Sequence, residues 1–143
     1  TLKPPAQHPF NPLGLLRLAV ACDAQGLPNR YVCETLFRHV WQGGADAADA
    51  QRLAALTPTL APVQDPGSAE VKAQLKAHGD EAIARDIFGV PSFAVNGKVF
   101  WGLDALPMLR DCLEGGTWFA DGEADARWDA VHRHPSGIPL RGA

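Results

Sequence analysis

An α/β chain, helical for most of its length and finished by a β-hairpin and a last helix, is what this sequence predicts. Three observations carry that reading. Apolar residues recur at helical spacing from Leu13 to Ile87, an Asn96-Gly97 turn stands between two short β-prone runs, and a helical stripe resumes from Ala105 to Leu113. The chain has 143 residues, 46% of them hydrophobic and 20% charged, which is the length and composition of one globular domain.

Residues 1–10 hold three prolines and little periodicity, so they read as an extended lead-in that packs onto something else. A first helix comes next, with Asn11 able to cap it and Pro12 suited to its first position, where a missing N–H would have no partner anyway. Between Leu13 and Cys22 the only charge is Arg17, the pattern of a buried helix, and Gly26 can close its far end. A second helix over 28–42 pairs Val32 with Cys33, Leu36 with Phe37 and Val40 with Trp41, leaving Arg30, Glu34 and Arg38 off the core face.

After Gly43-Gly44, residues 46–56 predict a short alanine-rich helix, followed by a loop holding Pro58, Pro62 and Pro66. Ser68 then caps a helix carrying Val71 and Leu75. Gly79 is expected to interrupt it, and Asp80 to begin another helix carrying Ile83 and Ile87.

At Gly89 the character changes. Ser92-Phe93-Ala94-Val95 and Lys98-Val99-Phe100-Trp101 flank Asn96-Gly97, the strongest short-range hairpin signal because both turn positions need positive φ. The closing helix places Ala105, Leu106, Leu109, Cys112 and Leu113 on one face and carries Pro107 in its first turn, where proline is tolerated. Trp118, Phe119 and Trp128 predict an anchored tail, and the run from Glu123 to Arg127 a solvated face.

Several functions are excluded or disfavoured by composition. A net charge of -3 with scattered basic residues offers no concentrated field for nucleic acid or anionic lipid. No apolar run reaches the roughly 18 residues needed to span a bilayer, and no signal peptide is visible at the N-terminus. Cys22, Cys33 and Cys112 form no CxxC pair, and each lies in the apolar stripe of its helix, so they read as core residues in a protein of a reducing cytoplasm. His132 and His134 lack a third ligand and predict no metal site, while His8, His39 and His78 read as surface or helix-end residues. The chain begins at Thr1 without methionine, from which an upstream segment or processing is expected.

The hairpin raises a question of partners. Two strands alone are marginal in water, yet the sequence offers no third. Either helices cover the pair, or it joins strands supplied by residues before Thr1 or by another chain. Val90-Pro91 opens the first strand, where a residue without N–H is best tolerated. Cis bonds are about 5–6% of X-Pro bonds in folded proteins, so these residues taken alone favour trans.

The segment Ile87-Phe88-Gly89-Val90-Pro91-Ser92-Phe93, then Asn96-Gly97, then Val99-Phe100-Trp101-Gly102-Leu103-Asp104, resembles the signature of the 2-hydroxychromene-2-carboxylate isomerases. These are relatives of the kappa-class glutathione transferases and, more distantly, of the bacterial disulfide oxidoreductases. Asn11-Pro12-Leu13 with Arg17 is similar to the opening of that family's helical insertion, so the resemblance runs from about residue 8 to residue 114. Two positions depart from it: Ala105 stands where Arg is usual, and Asp86 where Gly is usual.

The resemblance implies an α/β thioredoxin-like fold with an all-helical insertion domain. Residues 1–88 would be the lead-in and insertion, 89–116 the C-terminal ββα part and 117–143 an extension. The N-terminal βαβ part, with the family's reactive serine, would lie before Thr1, so no catalytic residue is expected within the chain and little turnover from it alone.

The same resemblance implies glutathione as cofactor, a small aromatic substrate, a homodimer, and a cis bond at Val90-Pro91. The backbone of Val90, beside Pro91, would pair with the cysteinyl part of glutathione, and Trp101, Gly102, Leu103 and Asp104 would lie against its γ-glutamyl end. Edge backbone groups can bind a peptide by strand addition, and the helix start after Gly102 offers N–H groups to a carboxylate. Asp104 can answer an ammonium group and also cap the helix. On residue type alone, Trp101 could equally be core.

The implied activity is glutathione-dependent cis-trans isomerisation of 2-hydroxychromene-2-carboxylate or a similar intermediate of aromatic catabolism. Two alternatives remain: a glutathione transferase or thiol-disulfide oxidoreductase on the same scaffold, or an inactive fragment that only binds or packs.

Overall fold

The computed structural model describes residues 1–116. The expectations for Trp118, Phe119 and Trp128, for the run from Glu123 to Arg127, and for His132 and His134 lie outside the described residues. The chain divides into two compact units, Thr1–Gly79 and Asp80–Ala143.

In the first unit, helix α1 spans Leu13–Ala21, α2 Arg30–Trp41 and α3 Ala50–Leu60; helix α4, Ala69–Ala84, begins there, and the unit boundary falls inside it. Each helix start has a local cause. The Asn11 side chain accepts from the Leu13 N–H at 3.0 Å and Asn29 accepts from Val32 at 3.1 Å. Asp49 accepts from Arg52 at 2.9 Å and Ser68 from Val71 at 3.2 Å. Each bond satisfies one amide that the first helical turn leaves without an intrahelical partner.

The core of this unit joins Leu15 and Leu18 of α1 to Val32, Leu36 and Val40 of α2, with Ala47 and Leu60 completing it. Burying each large aliphatic side chain contributes about 1.5–3 kcal/mol. A second cluster sets Val20 and Ala21 against Val71, with Leu75 at its edge. The lead-in packs as expected: Lys3 donates its amide to the Trp41 carbonyl at 2.7 Å, Ala6 to Ala45 at 3.1 Å, and the His8 ring lies against Trp41.

Four helical expectations are corrected. Helix α1 is not apolar-buried all round, since Leu13 and Leu16 are exposed; its inward stripe is narrower than its composition. In α2 only the first member of each apolar pair is buried, because adjacent residues stand about 100° apart and Phe37 and Trp41 turn outward.

Helix α3 starts later than expected and runs through Pro58 to the buried Leu60, whose packing holds the last turn despite the missing N–H. Gly79 does not interrupt α4, which is continuous. A glycine inside a helix costs about 1 kcal/mol relative to alanine, which weakens a helix without ending it.

The polar link from the end of α1 to α4 is specific. The Gln64 side-chain amide donates to the Asp23 carbonyl at 2.7 Å and to the Gln74 side chain at 3.2 Å, while Gln74 donates to the Ala24 carbonyl at 3.0 Å. Cys22, Cys33 and Cys112 are free and half-buried. Burial pushes the Cys22 thiol above its ordinary value, and its Sγ lies 3.1 Å from the Leu18 carbonyl, the i−4 acceptor.

In the second unit, strands β1, Ser92–Val95, and β2, Lys98–Trp101, form an antiparallel pair, and helix α5 spans Leu106–Leu113. Asn96 and Gly97 both take positive φ, 49° and 76°, the combination a type I′ turn demands. The turn sets the register at Val95 opposite Lys98 and Ser92 opposite Trp101. Phe100 is almost wholly buried, and α5 packs against β2, burying Leu109. Leu106 and Leu113, expected on the same inward face, are exposed. No helix of the described residues is long and apolar enough to cross a membrane.

Candidate functional site

The candidate site is the open end of the hairpin. The end of α4 sets it up: the Asp86 amide donates to the Ile83 carbonyl at 3.0 Å and Ile87 to Ala82 at 2.9 Å, with Asp86 itself at φ 55°. This is the left-handed turn by which helices commonly end, a conformation that glycine takes most readily. The chain then passes through Phe88 and Gly89 to Val90-Pro91, whose peptide bond is cis.

Beyond Pro91 the hairpin pairing continues by one more bond, Gly102 N–H to the Pro91 carbonyl at 3.0 Å. Antiparallel strands alternate bonded and non-bonded pairs. With Pro91 turned toward β2, the N–H and C=O groups of Ser92 and Ala94 face away from it. Among the described residues β2 is the sole partner of β1, so that edge is open, and Val90 at its start is 88% exposed.

The six expected site residues are brought to this one end. Pro91 and Gly102 are bonded to each other, Val90 and Leu103 flank that bond in sequence, and Trp101 pairs with Ser92. Leu103 is exposed, and so is Asp104. Gly102 takes φ +88°, a conformation that L side chains rarely adopt. One expectation is corrected: Asp104 does not cap α5. The cap position is Ala105, in helical conformation, and no side-chain bond closes that end. The first helical amide, that of Leu106, donates to the Leu103 carbonyl at 3.3 Å instead.

Sequence reasoning missed three residues of this end. The Ser92 hydroxyl donates to the Gly89 carbonyl at 2.6 Å and holds the approach to Pro91. Gly89 leaves room for Trp101: a Cβ there would stand 2.6 Å from the indole Nε1. Phe88 lies against the same indole, centroids 5.1 Å apart and planes at 53°. The only sequence signal for these contacts was an aromatic and a glycine just before the proline, and spacing does not show that they meet an aromatic twelve or more residues later.

A short α/β unit in which a helix leads to a proline-opened hairpin and then to a packed helix is of the thioredoxin-like class. Residues 1–114 match the DSBA-like thioredoxin domain, and the chain belongs to that family. The chain matches no curated protein and no solved structure.

Proposed function

We propose that the protein acts in glutathione-dependent cis-trans isomerisation of 2-hydroxychromene-2-carboxylate or a similar aromatic-catabolism intermediate. The observation that carries the reading is the open β1 edge beside Pro91, with Val90 exposed at its start and Asp104 exposed nearby. Membership of the DSBA-like thioredoxin domain family supports a peptide-thiol site at that edge. The helical segment is then the family's insertion, and the strands that complete the sheet belong to a βαβ part preceding Thr1, together with the reactive serine. The working form is a homodimer in the cytoplasm.

The residues present fit glutathione. The Val90 backbone offers a donor and an acceptor to the cysteinyl residue by strand addition. The γ-glutamyl end is met chiefly by the Asp104 carboxylate, which suits its ammonium, since at the start of α5 the Leu106 amide donates to the Leu103 carbonyl and Pro107 has none. Trp101 and Leu103 cover the two methylenes between that charged end and the cysteinyl residue. Each charge-assisted contact contributes about 1.5–3 kcal/mol. When bound, glutathione supplies a thiolate nucleophile able to add reversibly to a conjugated double bond and free a carbon-carbon bond to rotate. This chain's residues orient the peptide and keep its charged end paired.

Calorimetric titration with glutathione tests the site. Saturable binding is expected, with Asp104→Asn weakening it roughly tenfold. Absence of binding to the intact protein would overturn the reading. For activity, the complete gene product should convert 2-hydroxychromene-2-carboxylate only when glutathione is present. The family match also favours a second reading, a thiol-disulfide oxidoreductase. Reduction of a protein disulfide by the complete gene product, without isomerisation, would select it.

A further inference from the structure

Trp101 is held more firmly than a half-exposed strand-end residue needs to be. One side of its indole lies on Gly89, where there is no room for a Cβ, and the Phe88 ring contacts it at 5.1 Å. Phe88 is itself 76% exposed, so burial of its own surface does not explain its position. The Gly89 peptide cannot simply withdraw, because its carbonyl accepts the Ser92 hydroxyl at 2.6 Å and Ser92 is paired opposite Trp101. The contacts thus close a ring: Phe88 and Gly89 to Trp101, Trp101 across the strands to Ser92, and Ser92 back to Gly89.

We infer that Phe88 and Gly89 form a seat that fixes the Trp101 indole at the edge beside Pro91, making Phe88 a positioning residue for ligand binding there. A side chain ordered before the ligand arrives loses less freedom on binding, so the seat raises affinity without touching the ligand. The identity of the ligand rests on the glutathione reading; the seat itself does not.

The test uses the 143-residue chain labelled with 5-fluorotryptophan, whose four tryptophans report separately by fluorine NMR. The Trp101 resonance is assigned by its loss in Trp101→Phe, and the Trp41 resonance reports that the remainder is folded. Phe88→Ala and Gly89→Ala are each expected to displace or broaden the Trp101 resonance and to weaken glutathione binding about two- to tenfold. Phe88→Tyr, which keeps the ring, should leave both close to wild type.

A Trp101 resonance unmoved by Phe88→Ala and Gly89→Ala, or displaced equally by Phe88→Tyr, overturns the seat. If the wild-type chain binds no glutathione while Phe88→Ala still displaces the Trp101 resonance, the seat stands and the glutathione reading alone falls.

Discussion

The amide of Gly102 donates to the carbonyl of Pro91 at 3.0 Å, one step beyond the Ser92–Trp101 pair that ends the β-ladder. That bond carries the hairpin register up to the proline and holds the start of the loop to α5 beside it. It brings both halves of the candidate site to one place. It also depends on Gly102, whose φ of +88° lets the chain turn away immediately afterwards.

Gly102→Ala should therefore destabilise the protein by about 1–2 kcal/mol, since a Cβ disfavours this backbone conformation. A Cβ would also stand 2.5 Å from the Asp104 Oδ1, displacing that carboxylate. Thermal unfolding should fall by roughly 4–8 °C, and an unchanged midpoint would contradict the account.

Phe100 is the largest fully buried side chain of the described residues, and it lies on the strand that α5 covers. Phe100→Ala should cost about 3–5 kcal/mol. The effect is expected in the hydrogen-exchange protection of β1, β2 and α5. Protection lost only in α1 to α3 would show that Phe100 does not anchor this unit.

Asp86→Gly should stabilise the protein by about 0.5–1 kcal/mol. The φ of 55° at Asp86 disfavours a side chain, and glycine relieves it, although the greater freedom of glycine in the unfolded chain offsets part of the gain. A urea titration that shows a lower midpoint for the variant would mean that the Asp86 carboxylate makes a compensating contribution.

The raised thiol of Cys22 makes a signed prediction about pH. Its folded value lies above the ordinary 9.0 because burial disfavours the thiolate, so the fold binds this proton more tightly than the unfolded chain does. The resulting stability is complete below the unfolded value and is lost as pH rises from there through the folded one. Cys22→Ala should lose less stability across that alkaline range than wild type does. Parallel alkaline limbs in urea midpoints against pH would refute it.

The hairpin was legible because its signal is local: Asn96-Gly97 can be read without knowing what surrounds it, and both residues take the positive φ the turn requires. Ser68 was similarly readable, since a cap bonds an amide three residues away, whereas the Asn29 cap emerged only from the structure. Helix α3 was not. Whether Pro58 ends a helix depends on whether Leu60 has somewhere to be buried, and that is settled by α1 and α2. The outward turn of Phe37 escaped because adjacent helical residues face different ways, and the continuity of α4 through Gly79 because a single glycine weakens a helix without ending it.

At the candidate site, Val90, Pro91 and Trp101 to Asp104 were singled out by the resemblance of their segment to a family signature. The contacts of Phe88 and Gly89 with Trp101 were not, because twelve or more residues and a chain reversal separate them. By itself the sequence determined the tight turn of the hairpin, the side chains that start α1 and α4, and that a proline opens the first strand, since each depends on neighbours a few residues apart. Only the tertiary structure decided which apolar residues are inside, that Pro58 does not end α3, and what holds Trp101. Those outcomes belong to contacts between distant segments, whose packing can outweigh a local preference.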